Sequence, residues 1–218
     1  MRARTTVWTR RVGAAAAVAL TTGLLVALPE TTANALTWTW YLVSQHPEVS
    51  ARMHAEIDEV LGGRLPAVAD LPRLAYTEMV FAEGMRLYPP AWAIGRMATT
   101  DVTVGDYLVS PGAMILMSQW VTHRDERFFP DPERFDPERW RPAARAERPK
   151  FAYYPFGGGA RVCIGEPFAW MEGVLLMATI AQRWQLEFAG ADRPRPQAIV
   201  TLRPRNGMPM VPRARTAG

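Results

Sequence analysis

The stretch that most constrains this chain is Phe156-Gly157-Gly158-Gly159-Ala160-Arg161-Val162-Cys163-Ile164-Gly165, because it holds the only cysteine. A lone cysteine closes no internal disulfide. The three histidines, His46, His54 and His123, are too scattered to offer a zinc-type ligand spacing. Three roles remain for the sulfur: an inert buried thiol, a reactive thiol, or a thiolate holding a metal whose other ligands are not protein. The neighbours favour the third. Successive glycines at 157, 158 and 159 let the backbone bend tightly and approach a flat, bulky group. From Glu166 to Ala178 runs an apolar helical stretch with Pro167 in its first turn. The sulfur therefore stands near a helix N-terminus, whose unpaired N–H groups favour thiolate over thiol. Arg161 adds a cation able to take a carboxylate.

With 218 residues, 49% of them apolar, the chain has enough material for a sizeable core in one large domain or two small ones. Its net charge of +4 comes from arginine, since Lys150 is the only lysine. The arginines are spread out and no aromatic platform motif accompanies them, which argues against a nucleic-acid partner.

Residues 1–29 combine an arginine-rich start with the apolar runs Val12–Leu20 and Leu24–Leu28, a pattern like a signal peptide or a short membrane anchor. Glu30 to Leu42 reads as helix. Pro47 opens another helix, with Val49, Met53, Ile57, Val60 and Leu61 at helical spacing and Gly62-Gly63 as its stop. A further helix is expected from about Arg73 to Leu87, closed by Pro89-Pro90. Within it Glu83 and Arg86 share one face. From Ala91 to Gln119 short strands are expected, turning at Gly105-Asp106 and Pro111-Gly112. A long, charged, proline-rich loop runs from His123 to Lys150 and contains a near-repeat, Asp131-Pro132-Glu133-Arg134-Phe135 and Asp136-Pro137-Glu138-Arg139-Trp140. Trp184–Phe188 alternates like a strand, and the tail over 213–218 is expected to be disordered.

Phe156, Gly159, Arg161, Cys163 and Gly165 stand at the spacing Phe-x-x-Gly-x-Arg-x-Cys-x-Gly, which resembles the haem-binding signature of the cytochrome P-450 family. Five fixed positions within ten make a chance match rare. Glu83-Gly84-Met85-Arg86 resembles the family's Glu-x-x-Arg helix, and the resemblance runs from Glu30 to about Pro212 in family order. It implies a mainly α fold with small β-sheets (α+β), corresponding to the C-terminal half of the cytochrome P-450 fold. Residues 1–29 then form a non-family segment, with Leu28 and Pro29 where the family carries a small and a variable residue before the acid–threonine pair.

The resemblance also assigns roles. Cys163 becomes the axial thiolate on haem iron, with Arg161, Arg96, Phe156, Gly159 and Gly165 as further haem-binding positions. Glu30 and Thr31 become the pair that delivers protons for oxygen activation. Glu83, Arg86 and Arg139 become a buried structural network, with Arg134 left to the surface. The implied reaction is a truncated haem-thiolate monooxygenase, inserting one oxygen atom from O2 into a small organic substrate. Its electrons come from a flavoprotein or iron–sulfur donor, and its location is cytoplasmic. The rival expectations are a non-catalytic remnant or misassigned frame, and a small binding protein anchored in a membrane through residues 1–29.

Overall fold

The computed structural model describes residues 30–215. The proposed signal or anchor over 1–29 lies outside them, as do 216–218. Residues 30–45 are helical (α1). Then come α2 (Pro47–Leu61), α3 (Ala75–Leu87), β1 (Ile94–Met97), β2 (Val102–Val104), β3 (Tyr107–Val109), β4 (Met114–Met117) and a single turn, α4 (Gln119–Thr122). The short α5 (Pro142–Glu147), the long α6 (Glu166–Ala181) and strands β5 (Trp184–Phe188), β6 (Pro196–Ala198), β7 (Leu202–Pro204) and β8 (Met210–Ala214) complete the order.

The helices form the core. Along α1, Ala35, Leu36, Trp38, Trp40, Tyr41, Leu42 and Val43 are all buried, so this helix is wrapped on nearly every side. Trp38 stacks face to face on Tyr88, which follows α3, with ring centroids 3.9 Å apart. Phe81 of α3 meets Trp170 of α6 edge on at 5.7 Å. α2 is amphipathic, burying Val49, Met53, Ile57, Val60 and Leu61, and it ends where Gly62 adopts a left-handed φ of 54°. α3 starts at Ala75, because Val68–Arg73 forms a separate 3-10 turn.

Each sheet among the described residues is a two-stranded antiparallel pair. β1 pairs with β4 around the inner hairpin β2–β3, and β5 pairs with β8 around the inner hairpin β6–β7. Two expectations are corrected here. The tail is ordered further than expected: Arg213 and Ala214 lie in β8, held by cross-strand bonds in the register Gln185↔Arg213 and Trp184↔Ala214. The loop over 123–150 also contains a 3-10 turn, Pro137–Trp140, and α5, each with proline in its first turn.

α1 and α3 approach closely at Gly84, where an added Cβ would overlap the Thr39 hydroxyl on α1. Gly84→Ala should therefore destabilise the chain by about 1–3 kcal/mol through overpacking, although alanine is the better helix former. Thermal unfolding checks this, and an unchanged or raised Tm would show that the two helices can separate without cost.

Candidate functional site

Cys163 sits in a loop shaped by its neighbours. Gly157 and Gly159 take φ values of 76° and 69°, which side-chain-bearing residues rarely adopt. The Cys163 N–H donates to the Phe156 carbonyl at 3.0 Å and closes the loop on itself. Gly165 caps α6, and the Cys163 carbonyl accepts from the Glu166 N–H at 3.3 Å. The thiol is exposed and opens into a cleft of about 250 Å³.

That cleft joins three helices and the signature loop. Ala35 of α1, Phe81 and Met85 of α3 and Ile94 of β1 give it apolar walls, while Thr31, Arg161 and Cys163 bring polar groups to it. Phe156 and Gly165 line it too; Gly159 shapes the loop without lining it. Two expected residues stand apart. Arg96 shares a face of β1 with Ile94 but donates to its own neighbour, the Gly95 carbonyl, at 2.8 Å. Glu30 lies beside Thr31 in sequence, yet its carboxylate accepts from the Thr201 hydroxyl at 2.8 Å, outside the cleft lining. This Thr201 contact joins segments far apart in sequence and has no local signal.

Behind the loop lies a buried ion pair. Glu83 and Arg86 both have side-chain exposures of 0%. Arg86 Nε and Nη2 donate to the Glu83 carboxylate, each at 2.8 Å, as a bidentate fork. The remaining donors reach the backbone carbonyls of His123, Pro132 and Arg134 at 2.7–3.0 Å, so all five guanidinium N–H groups are used. Glu83 also accepts from the Asp136 N–H at 3.0 Å and the Trp140 indole at 2.9 Å, and Arg139 Nε stands 3.5 Å away. The structure thus brings Glu83, Arg86 and Arg139 together, and it adds Asp136 and Trp140, whose roles the near-repeat did not reveal.

His123 links this pair to the cysteine loop. Its Nε2 accepts from the Tyr154 N–H at 3.0 Å, so the imidazole is neutral with its proton on Nδ1. Burial, with the nearby charges of Arg86 and then Arg124, pushes its pKa down to about 3. Next door, Tyr153 donates its hydroxyl to the Ala82 carbonyl at 3.1 Å.

The cytochrome P450 family model matches residues 10–210. The chain belongs to the cytochrome P450 family. The match begins inside the stretch 1–29 that was set apart as non-family sequence. Among relatives, the chain is 48% identical over 188 residues to cyclooctatin synthase of Streptomyces melanosporofaciens, an alignment covering 85% of this chain and 41% of that protein. It is 48% identical over 162 residues to cyclooctat-9-en-7-ol 5-monooxygenase of the same organism, covering 74% and 35%. A solved crystal structure of a cytochrome P450 superposes with a TM-score of 0.81 at 30% identity, covering 89% of this chain and 44% of the other. The chain spans about two fifths of the length of the curated relatives it matches.

The donor set fits the haem of this P450 family. Among the described residues no group of three or more His, Cys, Asp or Glu side chains could hold a metal ion. An iron held at Cys163 would take its other ligands from the group that carries it. The apolar walls suit a macrocycle and the Arg161 guanidinium suits a carboxylate substituent. No helix among the described residues is long and apolar enough to cross a membrane.

His123 generates a pH prediction. The unfolded chain takes up a proton near pH 6.5 that the folded chain refuses until about pH 3. Stability should accordingly fall as pH drops between those values, by up to about 1.4 kcal/mol per pH unit from this residue. His54, lowered to about 4 mainly by burial, acts in the same direction. Unfolding midpoints of the chain and of His123→Gln across this range check it. The variant should show the shallower slope, and identical slopes would contradict a neutral, buried His123.

Proposed function

We propose that this chain is the haem-binding and proton-handling portion of a haem-thiolate monooxygenase acting on a small apolar organic substrate. The observation carrying this reading is that the exposed Cys163 thiol and the Thr31 position of α1 share one apolar cleft. Bound haem supplies oxygen activation there, with electrons from an external flavoprotein or iron–sulfur donor. Cys163 holds the iron through its thiolate. Arg161, which lines the cleft, would pair with a propionate, and Arg96, on the same strand face as Ile94, would be the candidate partner for a second. Phe156 and the glycines at 157, 159 and 165 let backbone lie close to the ring.

Thr31 holds a proton at its hydroxyl within the cleft, and Glu30, the adjoining acid, exchanges protons with solvent. Ala35, Phe81, Met85 and Ile94 exclude water around the reacting carbon. The apolar walls suit the hydrocarbon body of a cyclic alkenol, and cyclooctat-9-en-7-ol, named in a 48% identical relative, is the first substrate to try. For the donor, exposed Phe151 and Val162 line a groove together with Arg145 and Lys150, and Ile164, next to Cys163 in sequence, is exposed as well. This surface suits an acidic docking partner. A second reading, in which the chain binds haem without turning over substrate, is favoured by Glu30, whose carboxylate accepts from the Thr201 hydroxyl and does not line the cleft.

Titrating haem into the purified chain tests the proposal. The reduced carbon monoxide complex should show the red-shifted band of thiolate ligation. Cys163→Ser should abolish that shift and weaken haem binding by about tenfold or more. A wild-type chain with no such band contradicts thiolate ligation, and a band without product from cyclooctat-9-en-7-ol and a ferredoxin donor system selects the second reading.

A further inference from the structure

A three-member polar chain runs from the β6–β7 hairpin to α1. The Asn34 amide donates to Thr201 Oγ1 at 3.2 Å, and Thr201 Oγ1 in turn donates to Glu30 Oε1 at 2.8 Å. Thr201 is buried and precedes β7. The hairpin around it is tied down on both sides: Trp38 Nε1 donates to the Leu202 carbonyl at 3.2 Å, the Leu202 N–H to the Pro90 carbonyl at 2.9 Å, and Trp92 Nε1 to the Ile199 carbonyl at 2.9 Å. Pro90 and Ala91 are themselves part of the cleft wall.

The direction of these bonds matters. Because Asn34 donates to the Thr201 oxygen, the threonine's own proton is committed to Glu30, whose Oε1 must act as an acceptor. Glu30 and Thr31 are successive residues of a helix, about 100° apart around its axis. One therefore reaches the hairpin while the other reaches the cleft.

We propose that Thr201 is a positioning residue for Glu30. It fixes the Glu30 carboxylate as the outer, solvent-side end of a proton path whose inner end is the Thr31 hydroxyl. The role rests on the haem-monooxygenase reading above. It makes the β6–β7 hairpin, which is tied to the wall residue Pro90 through the Leu202 N–H, part of the proton machinery, so displacing the hairpin would disturb proton supply.

The test uses the full chain with Thr201→Val, which keeps shape and loses the hydroxyl, Thr201→Ser, which keeps the hydroxyl, and Glu30→Gln. In the haem-free protein, Thr201→Val and Glu30→Gln should be non-additive in Tm by about 2–4 °C, and Thr201→Ser should stay near wild type. In the haem-loaded ferric protein the probe is cyanide, followed by its spectral shift. Hydrogen cyanide sheds its proton on binding iron, and a base beside the site takes that proton. Thr201→Val should slow cyanide association about tenfold near neutral pH and change its pH profile, as Glu30→Gln does, with Thr201→Ser restoring both.

Additive Tm shifts would overturn the Thr201–Glu30 link. Coupled Tm shifts with an unchanged cyanide pH profile would reduce Thr201 to a structural contact and overturn the positioning role. Failure of the wild-type chain to load haem would overturn the oxygenase reading and the positioning role with it, while the haem-free coupling would still report whether the polar chain exists.

Discussion

The structure depends on one buried charge pair. Carrying a carboxylate and a guanidinium out of water costs several kcal/mol per ion, and only full hydrogen bonding in good geometry offsets that. Glu83 and Arg86 meet this condition, since every Arg86 donor is used and Glu83 accepts from Arg86, Asp136 and Trp140. Three of the Arg86 bonds end on carbonyls of the loop at His123, Pro132 and Arg134. A stretch with little regular structure to organise it is thereby pinned to α3.

The pinning passes on to the site. His123 gives its carbonyl to Arg86 and its Nε2 to the Tyr154 N–H, two residues before Phe156. Phe156 accepts from the Cys163 N–H and packs near Trp170, which meets Phe81 on α3. The thiol is thus placed by a relay beginning at a charge pair it never touches. Around that relay two further cations lie over aromatic rings, Arg148 over Phe129 and Trp140, and Arg124 over Trp120.

Much of this was legible in the chain. The signature around Cys163 is local, and so is the Glu83/Arg86 spacing, because both are set by a few residues of one turn. Helix α2 was readable from its apolar period and its Gly62 stop, and α6 from its apolar run behind Pro167. The illegible parts involve residues distant in sequence. Nothing in Trp140 announces an indole aimed at Glu83, and nothing in Thr201 announces a bond to Glu30. The ordered end of the chain was missed because Arg213 and Ala214 carry little strand propensity and are held by pairing with β5. Arg96 shows the converse: its type and position suggested a propionate partner, whereas its guanidinium rests on the Gly95 carbonyl.

The central claim is that the Glu83–Arg86 pair holds the cysteine loop in place from a distance. Amide hydrogen exchange of Glu83→Gln against the wild-type chain measures this most directly. The account predicts that protection falls together over 123–140 and 153–163 while α2 keeps its own. Loss of protection confined to α3 and the 123–140 loop, with the backbone around Cys163 unchanged, would contradict it.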